Sequence, residues 1–251
     1  MKKTEKIFYK DSFLSECDAV VTDIDTTKNS IICNRTIAFP EQGGQQGDSG
    51  YLVFNKNSVK FNDTQKGVGR VIYLDNFPTI SVDTVIHHIV SPEFLNLFTI
   101  GMKLKIKIDI NKRANLTINH SGIHLILMAI EKLYPEMIKN IKGAHITSQQ
   151  SRLDFVKKRT FTEDDLKHIT NFVNKIVQDD EPITVFPHSK EPEAWFWKCR
   201  NTVYPCGGTH LTSASYIGSP VVKRKGMGKK LERIIGIFPN SQLPLKMYHK
   251  E

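Results

Sequence analysis

The hydrophobic period of this chain first turns from that of strands to that of a helix between residue 110 and about Leu116, and that change limits the folds open to it. Across "MKLKIKIDI" (102–110), Met102, Leu104, Ile106, Ile108 and Ile110 alternate with Lys103, Lys105, Lys107 and Asp109, the period-two pattern of a strand with one buried face. From about Leu116 through Tyr134 the apolar spacing becomes helical, with Pro135 as the stop. Before the switch, "AVVTDID", "SIICNRTIAF", "GYLVFN", "GRVIYLD" and "TVIHHIV" are short β-branched runs broken by Gly, Asn, Asp and Pro. Roughly six strands at that spacing predict a small barrel. After the switch, "FTEDDLKHITNFVNKIV" predicts a second helix: Thr162 caps it, Glu163, Asp164 and Asp165 fill the first turn, and Leu166, Ile169, Val173, Ile176 and Val177 form its apolar stripe. Strands are expected again at "ITVFPH", "AWFWKC" and "LERIIGIF". The expected fold is therefore α+β: an N-terminal small β-barrel over residues 1–112, then a unit over 113–251 with helices packed on an antiparallel sheet.

With 39% hydrophobic and 24% charged residues in 251, the chain can bury a sizeable core. No run approaches the roughly 18 apolar residues of a membrane helix. The start, "MKKTEKIFYKDSF", has cations but no apolar segment to follow them, and its acidic residues argue against a transit peptide. The cytoplasm is the expected compartment, with no membrane partner; the oligomeric state is left open, a monomer being favoured. Cys17, Cys33, Cys199 and Cys206 make no disulfide framework in a chain this long. The first three read as small buried hydrophobes, and Cys206 is set apart by its neighbours.

Charge is unevenly placed. Residues 1–110 hold 13 Lys/Arg and 13 Asp/Glu, so the whole net charge of +9 falls in residues 111–251. A basic half fits a polyanionic partner, or merely a solvated lysine-rich surface.

Two residue pairs carry the chemistry. His120 and His124, within "NHSGIHLILMAI", are four apart on the expected helix, so both rings leave one face a turn apart. Cys206 and His210, within "VYPCGGTHLT", have the same spacing across Gly207 and Gly208. One thiolate and three imidazoles suit Zn²⁺. Four protein ligands usually make a closed structural site, but these pairs lie some eighty residues apart, which suits a pocket better than a staple. Ser121 and Gly122 stand where a zinc protease of the HExxH type has its glutamate. Amide hydrolysis is disfavoured on that ground, whereas an activated ester, with the ion as Lewis acid, remains open.

His120-x-x-x-His124 followed by Leu125, together with Cys206-Gly-Gly-Thr-His210, resembles the paired signature of the editing domain of alanyl-tRNA synthetase and its freestanding relatives, the alanyl-tRNA editing proteins of the AlaX group. "PEQGGQQGDSG" (40–50) is similar to the family's glycine-rich segment, placing Gln45 on its glutamine. Asp109 and Arg113 match an Asp and an Arg preceding the first histidine, and "RLDF" (152–155) and "YIGSPVVKRKGMGKKLERI" match an intervening strand and the tail. The sequence departs from the pattern at Gln42, where a third glycine is usual, at Gln46, where proline is common, and at Ile110, where tryptophan is frequent.

The resemblance implies a hydrolase that removes serine, with glycine as a second candidate, from mischarged tRNA(Ala). A pocket made for alanine excludes one extra hydroxyl poorly, so a second site must check the product. It implies one Zn²⁺ per chain on His120, His124, Cys206 and His210, with Gln45 and Thr209 hydrogen-bonding the amino acid or the ribose. Gly43, Gly44, Gly207 and Gly208 would let backbone approach the substrate. Lys223, Arg224, Lys225, Lys229, Lys230 and Arg233, read as a glycine-loosened basic loop, would meet tRNA phosphates. Trp195, Phe196 and Trp197 read as core or as a surface for stacking a base. Two other readings stay open: editing of another mischarged tRNA such as Ser-tRNA(Thr), and a non-enzymatic tRNA-binding module with structural zinc.

Overall fold

The computed structural model describes residues 3–251. Met1 and Lys2, the first residues of the stretch read for targeting signals, lie outside the described residues. Six strands close the N-terminal part into a barrel: β1 (Leu14–Asp25), β2 (Ser30–Cys33), β3 (Gly50–Phe54), β4 (Asn57–Lys66), β5 (Ile86–Val90) and β6 (Lys103–Ile108). They pair in the order β6–β3–β4–β5–β2–β1, and β1 pairs again with β6. The length of β1 makes this closure possible. Its Glu16–Val20 stretch faces Lys107–Lys103, whereas Val21–Asp25 faces Cys33–Ser30 across a register break. Such a break bends the strand and steepens its twist. Cys17, Val21, Leu52, Phe61, Leu104 and Ile106 are among the side chains that fill the interior. Lys105 and Lys107, alternating with that set, pair with Glu16 and Asp18 on the neighbouring strand, contacts worth about 1 kcal/mol or less each in water.

β6 ends at Ile108, two residues before its alternation does. Asp109 is instead the N-cap of α1 (Ile110–Leu133): its carboxylate accepts from the backbone N–H groups of Asn111 and Lys112, both at 3.1 Å. The helix thus starts six residues ahead of the expected Leu116, because the cap decides the boundary while Ile110 merely prolongs the apolar pattern. One turn in, the buried Arg113 grips Asp48 with a 3.1 Å Nε–Oδ1 contact and donates to the carbonyls of Ser12 and Ile37 at 2.7 Å. Asp48 also accepts from Phe39 N at 2.7 Å. The glycine-rich segment is thereby fastened to the start of α1.

Beyond α1 come β7 (Ile141–Ile146), β8 (Ser151–Val156), α2 (Glu163–Gln178), β9 (Ile183–His188), β10 (Glu191–Cys199), β11 (Thr202–Pro205), β12 (Val221–Met227) and β13 (Leu231–Ile237). One antiparallel sheet runs β7–β8–β13–β12 and another β9–β10–β11. A second core gathers Leu125, Ile126 and Ile130 of α1 with Phe155, Ile169, Val173, Trp197 and Ile234. Thr162 caps α2 in a capping box with Asp165. Cys17, Cys33 and Cys199 are buried and unpaired by disulfides.

Two local expectations are corrected. "GRVIYLD" does not join the barrel: Arg70–Ile72 pairs with Ile80–Val82 in a separate hairpin, which leaves Val71 and Tyr73 exposed. The lysine-rich tract is not a loose loop, since Lys223–Met227 belongs to β12, in register with β13, and only the turn at Gly228 (φ 71°) needs glycine. The dense cations hide a strand whose Val222 packs on the core.

Candidate metal centre and its cavity

The middle of α1 supplies His120 and His124, and the segment following β11 supplies Cys206 and His210. Cys206 N–H donates to Trp195 O at 2.8 Å, which carries the β10 pairing one residue past the strand end. The four potential ligand atoms lie within 4.8 Å of one another. Cys206 Sγ is 3.4 Å from His120 Nε2 and 3.2 Å from His210 Nε2. A tetrahedral zinc site with ordinary Zn–S and Zn–N bonds places sulfur roughly 3.6 Å from nitrogen, so the donor set fits the ion.

Neighbouring groups decide which nitrogen each ring offers. His120 Nδ1–H donates to Gln45 Oε1 at 2.6 Å, leaving Nε2 toward the thiol. His210 Nδ1 is hydrogen-bonded to Ser121 Oγ at 3.2 Å, and the same hydroxyl accepts from Leu211 N at 2.9 Å. His124 Nδ1 is buried without a hydrogen-bond partner among the described residues. Its ring packs against the stacked Trp197 and Tyr204, with centroids 4.8 and 5.6 Å away. Burial holds the imidazoles neutral: it pushes His120 down to about 3 and His124 and His210 well below the usual histidine range. Burial also pushes the Cys206 thiol up to about 12. Lone pairs are thus available on nitrogen, while the sulfur needs a cation before it gives up its proton.

The expected substrate residues divide. Gln45 and Thr209 are buried behind the ligands rather than exposed to the cavity. Gln45 Nε2 donates to Thr209 Oγ1 at 3.0 Å, Gln45 Oε1 accepts from Thr209 N at 3.1 Å, and Thr117 Oγ1 donates to Thr209 Oγ1 at 2.9 Å. They brace His120. Gly43, Gly207 and Gly208 line a cavity of about 420 Å³ together with His120, His124 and Cys206. Gly44 does not; a Cβ there would meet Ala144 O at 2.4 Å, because the segment docks beside β7 through Ile146 N–H to Gly44 O at 2.7 Å. A Cβ on Gly208 would come 2.1 Å from His120 Cε1, so that glycine makes room for a ligand ring.

Of the six expected tRNA cations, Arg224 pairs with the buried Glu232 at 2.7 Å and Arg233 with Asp154 at 2.6 Å. Lys223, Lys225, Lys229 and Lys230 are exposed with no ion pair among the described residues. Lys142 and Lys157, unmarked in the sequence, join Lys229 and Lys230 around a shallow depression. Trp197 is core, whereas Trp195 borders the cavity and stacks on Tyr9 at 5.6 Å. Sequence reasoning also missed Tyr9, Lys66 and Ser121. Only Ser121, between the two histidines, carried a local signal.

A β-barrel locked to an α+β unit, with a three-histidine, one-cysteine cluster at the wall of an open cavity, defines a chain able to hold a metal ion beside a bound ligand. Its relatives are alanine–tRNA ligases. It is 29% identical to the alanine–tRNA ligase of Metallosphaera sedula over 238 residues, covering 86% of this chain and 24% of that ligase. Against the enzyme of Pyrococcus abyssi it is 26% identical, covering 100% of this chain and 27% of the ligase, and against that of Ignicoccus hospitalis 26%, covering 86% and 24%. The chain thus spans about a quarter of the length of the curated relatives it matches. No family model matches it. No helix among the described residues is long and apolar enough to cross a membrane.

Proposed function

We propose that this chain hydrolyses the ester joining a wrong amino acid to the tRNA for alanine, serine first and glycine as a second candidate. The observation that carries the reading is the placement of His120, His124 and Cys206 on the wall of an open 420 Å³ cavity, with His210 completing the donor set. The likeness to alanine–tRNA ligases supports the choice of tRNA. A zinc ion held by the four residues would supply Lewis acidity to the ester carbonyl and lower the pKa of water. The chain's own part is orientation. Gln45 fixes the tautomer of His120 and Ser121 orients the His210 ring, which raises their quality as ligands. Gly208 keeps space for the His120 ring, and Ile123, Leu127, Ile146 and Leu153 form an apolar wall that strengthens charge interactions inside. Lys223, Lys225, Lys229 and Lys230, with Lys142 and Lys157, would meet backbone phosphates outside the cavity.

The test is deacylation of Ser-tRNA(Ala) and Ala-tRNA(Ala) with zinc content measured on the same preparation. Loss of serine, sparing of alanine and about one zinc per chain are expected. Metal-replete protein that leaves Ser-tRNA(Ala) intact rejects the reading. Faster loss from Ser-tRNA(Thr) would transfer it to another tRNA, and zinc retention with tRNA binding but no turnover would leave a structural module.

A further inference from the structure

The cavity holds one ionic group that the chemistry above does not use. Its lining contains only two carboxylate or ammonium side chains, Lys66 and Glu193. Glu193 is already neutralised, because the nearly buried Lys6 donates to its carboxylate at 2.6 Å. Lys66 has no ion pair among the described residues. Its ammonium donates to Gln42 Oε1 at 3.1 Å, and Gln42 Nε2 donates to Tyr9 OH at 3.2 Å. Tyr9 in turn stacks on Trp195, centroids 5.6 Å apart and planes 15° from parallel. A neutral amide and a packed aromatic pair therefore hold a half-buried cation at the cavity without cancelling its charge. Burial and the nearby Lys6 ammonium lower its pKa against a smaller opposing effect of the Glu193 carboxylate, so the site gains from an incoming anion.

We propose that Lys66, held in place by Gln42, binds a phosphodiester oxygen of the nucleotide chain whose 3′ end enters this cavity. The assignment rests on the deacylase reading for the identity of the ligand. The charges of that ligand select the group: the α-ammonium of an aminoacyl ester is cationic and would be repelled, the ester and ribose hydroxyls are neutral, and the phosphodiester is the anion within the 3′-terminal nucleotides. Gln42 adds a tether for the ammonium rather than obstructing the cavity, which it lines beside Gly43.

The experiment uses the full zinc-loaded chain and the trinucleotide CCA carrying no amino acid, whose binding needs no turnover, followed by fluorescence anisotropy across a salt series. Lys66→Met should weaken CCA binding about tenfold and lower the slope of log affinity against log salt by about 0.7, the loss of one single-strand phosphate contact. Lys66→Arg should restore most of the affinity, and Gln42→Gly should weaken binding less than Lys66→Met. Lys60→Met, on the exposed face of β4, is the control for a general loss of positive charge. Thermal melting of each variant separates misfolding from lost contact. A folded Lys66→Met with unchanged CCA affinity and salt slope overturns the assignment. CCA binding that depends on Lys66 in a chain that spares Ser-tRNA(Ala) supports it while removing the deacylase reading. For a chain that does deacylate, the ratio of kcat/KM for seryl-CCA over phosphate-free seryl-adenosine should fall about tenfold in Lys66→Met, and an unchanged ratio overturns it.

Discussion

Gln45 Oε1 accepts the Nδ1 proton of His120 at 2.6 Å, across 75 residues of sequence. The contact sets which nitrogen of the ring is left for a cation. Gln45→Ala should lower zinc affinity by about 10- to 100-fold, the usual effect of losing such a partner, as read by competition with a chromogenic chelator. A variant that binds zinc as tightly as the parent would show that His120 is oriented by other means.

Gly208 and His120 are in closer opposition still. With a Cβ 2.1 Å from His120 Cε1, Gly208→Ala should displace the ring and reduce zinc stoichiometry while both hydrophobic cores persist. Gly43→Ala is the contrasting case. Its φ of 59° is unfavourable, but nothing lies within 4 Å of the added methyl, so about 1 kcal/mol of stability should be lost with zinc retained. Zinc titration and urea unfolding on the two variants check both outcomes.

Cys206→Ala separates a working site from a structural one. The core around α1 does not depend on the thiol, which only borders it, so the variant should keep the far-ultraviolet spectrum and tRNA binding of the parent. Zinc should be weakly held and serine release abolished. A chain that unfolds on this change would have zinc as a fastener of the fold.

Asp48 and Arg113 form a fully buried ion pair. Asp48→Ala leaves the guanidinium without its counter-charge, which costs about 3–5 kcal/mol. The urea midpoint should fall accordingly, with the unfolding slope unchanged. A shift below about 1 kcal/mol would mean that the Ser12 and Ile37 carbonyls satisfy Arg113 unaided.

His88 predicts a pH dependence. It lies fully buried in the barrel, bonded to Thr36 Oγ1 at 2.8 Å and Ile31 O at 3.0 Å, and burial pushes it down to about 4. The unfolded chain takes up this proton near pH 6.5 and the folded chain refuses it until about 4. Its stabilising effect is therefore complete above about 6.5 and is lost progressively as pH falls toward 4, at roughly 1.4 kcal/mol per unit. Urea unfolding between pH 7 and 4.5 should show a shallower slope with pH in His88→Gln than in the parent; equal slopes would exclude His88 as the source.

The barrel and the α+β remainder were legible because period two and period 3.6 leave distinct marks on either side of Asp109. The start of α1 was misplaced because capping is local hydrogen bonding, which an apolar alternation does not report. "GRVIYLD" resembled a barrel strand because composition does not say which partner a strand will find. The ligand pairs were visible as spacings. The bracing by Gln45, Thr117, Thr209 and Ser121 depends on side chains meeting across the fold, and the commitment of Arg224 and Arg233 to Glu232 and Asp154 arises from register between β8, β12 and β13, so neither could be read from linear order.

The docking of Gly44 and Gln45 beside Ile146 has a consequence for biogenesis. The residue that orients the first histidine arrives early in synthesis, its docking edge follows a hundred residues later, and Cys206 and then His210 arrive later still. A chain that stopped short of His210 would lack part of the four-residue donor set, so the cluster can assemble only through long-range closure.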